Sequence, residues 1–274
     1  MLRSTRSVED GHMVKWGSTA DMPVAVFPYA SISSLKSWFE ADLAVYTSTA
    51  RTTLAVADAD VVGSWTDQSS NAWHLEQATA GNKPTFQTNQ VAGFPAVKCF
   101  SGSSQYLLAN TPSGISGASP WTYFAVFKLL ATTQYGTVLG MGIGSGAGAA
   151  SMTQAHMQQN TSNNTLFLNT NDGTYNTALN ASAHDFTAGF NIGMFCYDGT
   201  NFKYYCNNKL LHTRAMTFNL GNEPFSMFSP YDCTGQYGDN LIHAAGYFNA
   251  ALSDAERASV HKYLSGKTGI ALDA

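Results

Sequence analysis

The chain has 274 residues, a net charge of −4 and only 12% charged side chains, roughly half of the ~25% usual in soluble proteins. No lysine/arginine cluster is present to neutralise a phosphate backbone, which disfavours nucleic-acid binding, and no apolar run reaches the ~18 residues that cross a bilayer. The surface must be polar without being charged, as suits a glycan-facing module or a subunit whose flanks are covered by neighbours.

Met1–Gly11 carries arginines but no apolar segment behind them, so no secretory signal is read and a cytoplasmic origin is expected. The following Met22-Pro23-Val24-Ala25-Val26-Phe27-Pro28 cannot be helical with two prolines. Residues 1–33 therefore read as an extended arm, with a disordered leader an equal alternative over Met1–Ala20, and Val24, Val26 and Phe27 are its apolar contacts to its own domain or a neighbour.

From Leu35 onward, short runs of Val, Phe, Tyr, Trp and Thr alternate with Gly, Asn, Asp and Ser, the pattern of an all-β sandwich filling residues 34–274. The clearest strand pair is Ile192–Tyr197 with Phe202–Cys206 around Asp198-Gly199-Thr200-Asn201. With Tyr197 opposite Phe202, one face takes Phe195, Tyr197, Phe202, Tyr204 and Cys206 and the other takes Cys196, which forbids a Cys196–Cys206 bridge. A second reversal at Asn207-Asn208-Lys209 continues the meander. Cys99, Cys196, Cys206 and Cys233 show no CxxC spacing and read as free thiols. The one helix lies at the end: Ser253 and Glu256 form a capping box, Val260, Tyr263 and Leu264 an apolar stripe, and Gly266 the stop.

Several segments together resemble the concanavalin A-like lectin/glucanase or laminin-G-like jelly-roll domain. They are Leu35–Asp42, Trp65–Asn71, Lys83–Phe86, Gly93–Val97, Phe100-Ser101-Gly102, Gln105-Tyr106-Leu107, Thr122–Lys128, Tyr197-Asp198-Gly199 and Leu252–Arg257, closing at Gly269-Ile270. Ser70 and Ala72 stand where that family carries glycines, and Gly140–Asn191 departs from its pattern. The resemblance implies a two-sheet antiparallel jelly roll. Such domains occur in secreted bacterial proteins and in tail and capsid accessory proteins of bacteriophages; without a signal sequence, the virion setting is the one expected.

Glucanases on such a fold need acid and nucleophile close together across one bond. Glu40-Ala41-Asp42 is the nearest imitation and lacks a third carboxylate, while Asp58 and Asp60 form a pair without a partner. All four read as solvated acids at loops and strand ends. Gly142–Ala147 matches a dinucleotide fingerprint in letters only, since no βαβ unit surrounds it. Trp73, Tyr175, Tyr231 and Tyr237 are the aromatic candidates for sugar contact. Asp67 with Asn71, or Asp232 with Asp239, could offer oxygens to Ca²⁺, but turn formation is sufficient explanation for them and is the favoured reading. The sequence thus leads to a non-enzymatic virion module: a capsid decoration or tail accessory protein, oligomeric, contacting other virion proteins and host polysaccharide, without cofactor, nucleic acid or membrane. The alternatives are a carbohydrate-active enzyme, a glycoside hydrolase or lyase on the same fold, and a free bacterial lectin.

Overall fold

The computed structural model describes residues 31–130, 135–142, 153–159, 166–170, 177–178, 185–230, 233 and 235–273. Val24, Val26, Phe27, Tyr175, Tyr231, Asp232 and the glycine-rich run after Gly142 lie outside these described residues. The strands are β1 (Leu35–Glu40), β2 (Val45–Tyr46), β3 (Ser64–Trp65), β4 (Leu75–Glu76), β5 (Thr85–Val91), β6 (Phe94–Cys99), β7 (Leu107–Pro112), β8 (Trp121–Leu129) and β9 (Gly136–Gly142). They continue with β10 (Gln154–Gln159), β11 (Leu166–Asn169), β12 (Thr177–Ala178), β13 (Asn191–Tyr197), β14 (Asn201–Cys206), β15 (Lys209–Ala215), β16 (Pro224–Met227) and β17 (Asn240–Phe248), followed by helix α1 (Asp254–Thr268).

These strands form two sheets. One has eight strands in the order β15-β14-β13-β8-β17-β6-β5, with β1 also on β17; the other has nine, in the order β12-β11-β10-β9-β16-β7-β4-β3-β2. Every described strand pair is antiparallel. The two-sheet sandwich with a C-terminal helix is therefore the architecture of the described chain.

Strand β8 shows why the layers stack as they do. Its odd positions Trp121, Tyr123, Ala125, Phe127 and Leu129 enter the core between the sheets, while Phe124 and Val126 join a second apolar cluster with Val260 and Leu264 of α1. β13 divides likewise, with Phe195 and Tyr197 inward and Ile192, Met194 and Cys196 toward the helix. The eight-stranded sheet is thus apolar on both faces, so β8, β13 and β17 are almost wholly buried and lack the polar alternation of a half-solvated strand. Burying Val260 and Leu264 completely stabilises the helix contact by about 1.5–3 kcal/mol per side chain. Between the sheets, aromatic rings dominate: Trp121 stacks on Tyr123 at 4.9 Å, and Phe195 meets Phe202 edge-on at 5.0 Å.

The expected hairpin has the expected register. Tyr197 pairs with Phe202 and Gly193 with Cys206, Cys206 lies in the inter-sheet core and Cys196 under the helix, and no disulfide joins any of Cys99, Cys196, Cys206 and Cys233. Asp198 fixes the turn by accepting from the N–H groups of Thr200 and Asn201. Asn207 and Asn208, both at positive φ (47° and 75°), make the next reversal, as a two-residue primed turn requires. The capping box of Ser253 and Glu256 is present, but the helix runs through Gly266 and stops at Gly269, whose φ of 70° lets its N–H reach Ser265 O. Gly266 has the right residue type but lies before the last apolar turn has packed; burial of Leu264 and Thr268 carries the helix one turn further.

Ala72 has φ of 56°, the left-handed region where the resembling family places glycine. A Cβ in that region costs about 1–2 kcal/mol, part of which glycine loses again in unfolded-chain entropy. Ala72→Gly is therefore expected to raise unfolding free energy by about 0.5–1 kcal/mol in urea denaturation, and a lower midpoint for the variant would contradict this account of the turn.

Candidate functional site

With α1 covering one sheet, the outer face of the nine-stranded sheet is the place where side chains can meet a ligand on a rigid platform. Strand register sets a row across that face: Tyr46, Ser64, Glu76, Leu108, Ser226, Gly140 and His156 lie side by side on β2, β3, β4, β7, β16, β9 and β10. At about 4.8 Å per strand the row spans roughly 29 Å. Their strand neighbours Val45, Trp65, Leu75, Leu107, Met227, Leu139 and Met157 point the other way, into the inter-sheet core.

The two ends of the row differ. At the β9–β10 end, Gln154, His156, Gln158 and Ser226 are buried. Gly140 makes room there: a Cβ on it would fall 2.8 Å from Ser226 Oγ and 3.0 Å from His156 Cδ2. Ser226 Oγ donates to Ser229 O at 2.8 Å, and Gln158 Nε2 to Thr137 Oγ1 at 3.0 Å. At the β2–β7 end, Tyr46, Arg51, His74, Glu76 and Leu108 are half-buried and Asn110 is exposed. Arg51 Nη1 lies 2.6 Å from Glu76 Oε1, with side chains 35% and 29% exposed. Arg51 holds a left-handed backbone (φ 54°) in the turn where its N–H donates to Ser48 O. A non-glycine residue in this conformation is maintained by its surroundings and is a reason to look for function. His74 Nδ1 accepts from the Asp67 N–H at 3.2 Å, leaving Nε2–H as a donor. Burial, and then the neighbouring Arg51, hold its pKa below the ordinary 6.5, so it is a neutral imidazole at pH 7. This open end thus offers a phenol, a guanidinium, a carboxylate, a neutral imidazole and an amide on one surface.

The carboxylates singled out from the sequence are elsewhere: Glu40 and Asp42 are buried rather than solvated, whereas Asp58 lies exposed at a loop, as expected. Glu40, at the end of β1, and Asp42 both bind Lys267 of α1: Nζ contacts Glu40 Oε2 and lies 2.9 Å from each Asp42 oxygen. Burial raises the Glu40 pKa against the pull of Lys267, and the Tyr263 hydroxyl adds a hydrogen bond that favours the carboxylate. An ammonium between the two acids leaves them as an ion-pair latch between helix and sheet. Asp58 accepts from the N–H and Oγ1 of Thr88, and Asp60 from the N–H groups of Val56 and Ala57, so each anchors a loop.

Asp67 is saturated as well. Its oxygens accept from the N–H groups of Trp38, Ser69 and Trp73 and from Ser69 Oγ, while Asn71 Nδ2 donates to Lys36 O. Asp239 accepts from Ser101 N and Oγ. Both work as loop anchors in this structure. Trp73 stacks on Tyr247 at 6.2 Å beside the end of β7, and Tyr237 stacks on Tyr106 at 6.3 Å before its start. The two aromatic candidates lie at opposite ends of that strand, about 20 Å apart at 3.3 Å per residue.

No protein-family model matches the chain, and no curated protein matches it in sequence. Solved structures do resemble it in fold. A GH54 α-L-arabinofuranosidase soaked with 4-nitrophenyl α-L-arabinofuranoside superimposes with a TM-score of 0.57 at 10% identity, covering 76% of this chain and 51% of that one. The binding domain of botulinum neurotoxin serotype D gives 0.53 at 12% identity, over 86% and 52%. Trypanosoma rangeli sialidase gives 0.50 at 10%, over 86% and 33%. The chain therefore spans about half the length of the first two and a third of the sialidase.

At these identities the likeness is one of fold, and it corrects one expectation. Catalysis was set aside because no matched acids follow one another along a strand, yet the same sandwich is present in glycoside hydrolases. The spacing test detects acids on a single strand; groups brought together from a turn and a distant strand, as Arg51 and Glu76 are here, leave no local motif. The non-enzyme expectation falls with that test, and the virion setting finds no counterpart among these likenesses.

Lys267 provides the check on the latch. Lys267→Met leaves two carboxylates in a buried site without their cation, which should lower unfolding free energy at pH 7 by about 3–5 kcal/mol. Adding Glu40→Gln and Asp42→Asn should recover part of that loss in the same denaturation experiment. A single variant as stable as the parent would show that these charges are solvated.

Proposed function

We propose that this chain is a carbohydrate-active β-sandwich that holds a saccharide at the open end of the nine-stranded sheet, across Tyr46, Arg51, His74, Glu76 and Asn110. The observation that carries this reading is the Arg51–Glu76 pair, set by a left-handed turn on a half-exposed polar surface. Saccharides are recognised by flat aromatic faces and by side chains that both donate and accept hydrogen bonds, and this end supplies both. The Glu76 carboxylate has one oxygen on Arg51, and in this reading the other accepts from a sugar hydroxyl or exchanges a proton with a glycosidic oxygen. Hydrolysis requires a second acid or base across the bond; among the described residues of the row, Glu76 is the one carboxylate. The fold likeness to a glycoside hydrolase supports the same reading.

The test combines binding and cleavage. The full chain is screened against neutral and acidic oligosaccharides by calorimetry, and for release of reducing sugar from the corresponding polysaccharides. Binding to at least one glycan is expected, with Glu76→Gln and Arg51→Met each lowering affinity about tenfold or more (~1.4 kcal/mol) at unchanged melting temperature. Any hydrolysis found should fall about 100-fold or more in Glu76→Gln. Binding that both variants leave intact, or no binding and no cleavage across the panel, would overturn the assignment.

A further inference from the structure

Between α1 and the eight-stranded sheet lie two imidazoles with no part in the saccharide face. His243 and His261 are both 0% exposed. His243 Nδ1 is 2.8 Å from Pro95 O, and His261 Nδ1 is 3.0 Å from Arg257 O. A carbonyl oxygen only accepts, so each Nδ1 carries the ring proton and each Nε2 keeps its lone pair. Neither Nε2 has a hydrogen-bond partner. The sites that would take up a proton are therefore buried and unanswered.

Each also faces a cation carried by α1. His243 stands where the β17 register breaks between Ile242 and Ala244, with Lys267 and Asp42 as its charged neighbours and the Phe94 ring 5.6 Å away. Lys267 in turn holds Glu40 and Asp42 from the end of β1, with Tyr263 of α1 on Glu40. His261 lies one turn after Arg257, whose guanidinium sits 4.1 Å over the Tyr205 ring, donates to Asn208 Oδ1 and approaches Asp254 at 3.4 Å. A second positive charge at either ring is thus brought against an existing one in a low-dielectric layer.

We propose that the contact between α1 and the sheet is an acid-released latch: protonation of His243 and His261 detaches the C-terminal helix while the core between the two sheets stays closed. Release exposes to solvent the apolar outer face formed by Trp38, Phe124, Val126, Ile192, Met194 and Phe248.

The pH window follows from the same groups. Burial, reinforced by Lys267, pushes His243 down to about 4, and burial with Arg257 nearby pushes His261 down to about 4. A folded-state value below the ordinary 6.5 means the neutral ring is favoured in the packed helix. That stabilisation is complete above 6.5 and is lost as the pH falls toward 4. Glu40 works against them: burial raises its pKa, so its proton uptake favours the packed helix as the pH falls, and the release is carried by the two imidazoles. His243 and His261 act in one direction at one interface.

Hydrogen–deuterium exchange of the full chain between about pH 7.5 and pH 4, corrected for the intrinsic pH dependence of exchange, tests the latch. Near pH 5, roughly midway in the window, amides of Asp254–Thr268 should lose about tenfold or more of their protection while those of β8 and β13 keep theirs. The double variant His243→Gln, His261→Gln should move the loss lower by about one pH unit or more. Helix and strands opening together, or a midpoint unmoved in the double variant, would overturn the proposal. If the double variant does not fold, NMR titration of the two imidazoles in the parent chain decides. Rings that stay neutral until α1 opens support the latch, and rings that protonate under a fully protected helix refute it.

Discussion

The structure depends on a sheet that must be buried twice. β8, β13 and β17 carry large apolar side chains at consecutive positions, so half of them point away from the other sheet whatever the register. Water on that second face would expose Trp38, Phe124, Val126, Ile192, Met194 and Phe248 together, and at about 1.5–3 kcal/mol for each large side chain a sandwich alone is a poor arrangement. Helix α1 answers this constraint. Its capping box, apolar stripe and three-way ion pair all serve to hold it there. Because the helix takes that side, polar chemistry is left to the outer face of the nine-stranded sheet.

The same argument separates acids that build the fold from one that is free to act. Asp67 accepts four hydrogen bonds, Asp239 two, Asp58 two and Asp60 two, all from nearby backbone or hydroxyl groups. Glu40 and Asp42 are committed to Lys267. Glu76 is different: its partner is the half-exposed Arg51 guanidinium, and it stands on a strand whose preceding residue, Leu75, is fully buried. A carboxylate held rigidly from below and reachable from above is the arrangement that sugar recognition and acid–base chemistry share.

What could be read in advance was local. The β13–β14 register followed from Asp198-Gly199 and the alternation on either side, because a two-fold period and a tight turn leave one pairing that keeps Phe195, Tyr197, Phe202 and Tyr204 on one face. The helix start followed from Ser253 and Glu256 for the same reason. The nine-stranded sheet was hard to see because β2, β3 and β4 are two residues each and exist through partners far along the chain. The alternation of Gln154, His156 and Gln158 with Ala155 and Met157 was a legible strand signal inside a segment that matched no known pattern. Glu40 and Lys267 are 227 positions apart, and no sequence spacing announces an ion pair between them. Arg51 meets Glu76 through a turn whose left-handed arginine is visible only in the backbone angles.

The account therefore turns on sidedness: ligand on the nine-stranded sheet, helix on the other. The most direct measurement is a map of backbone amide exchange at neutral pH with and without a mixture of short oligosaccharides at millimolar concentration. Slower exchange confined to β2, β3, β4, β7 and the turn carrying Arg51, with α1 and β13 unchanged, is the predicted result. Slowing over α1 or β13, or no change anywhere, would contradict it.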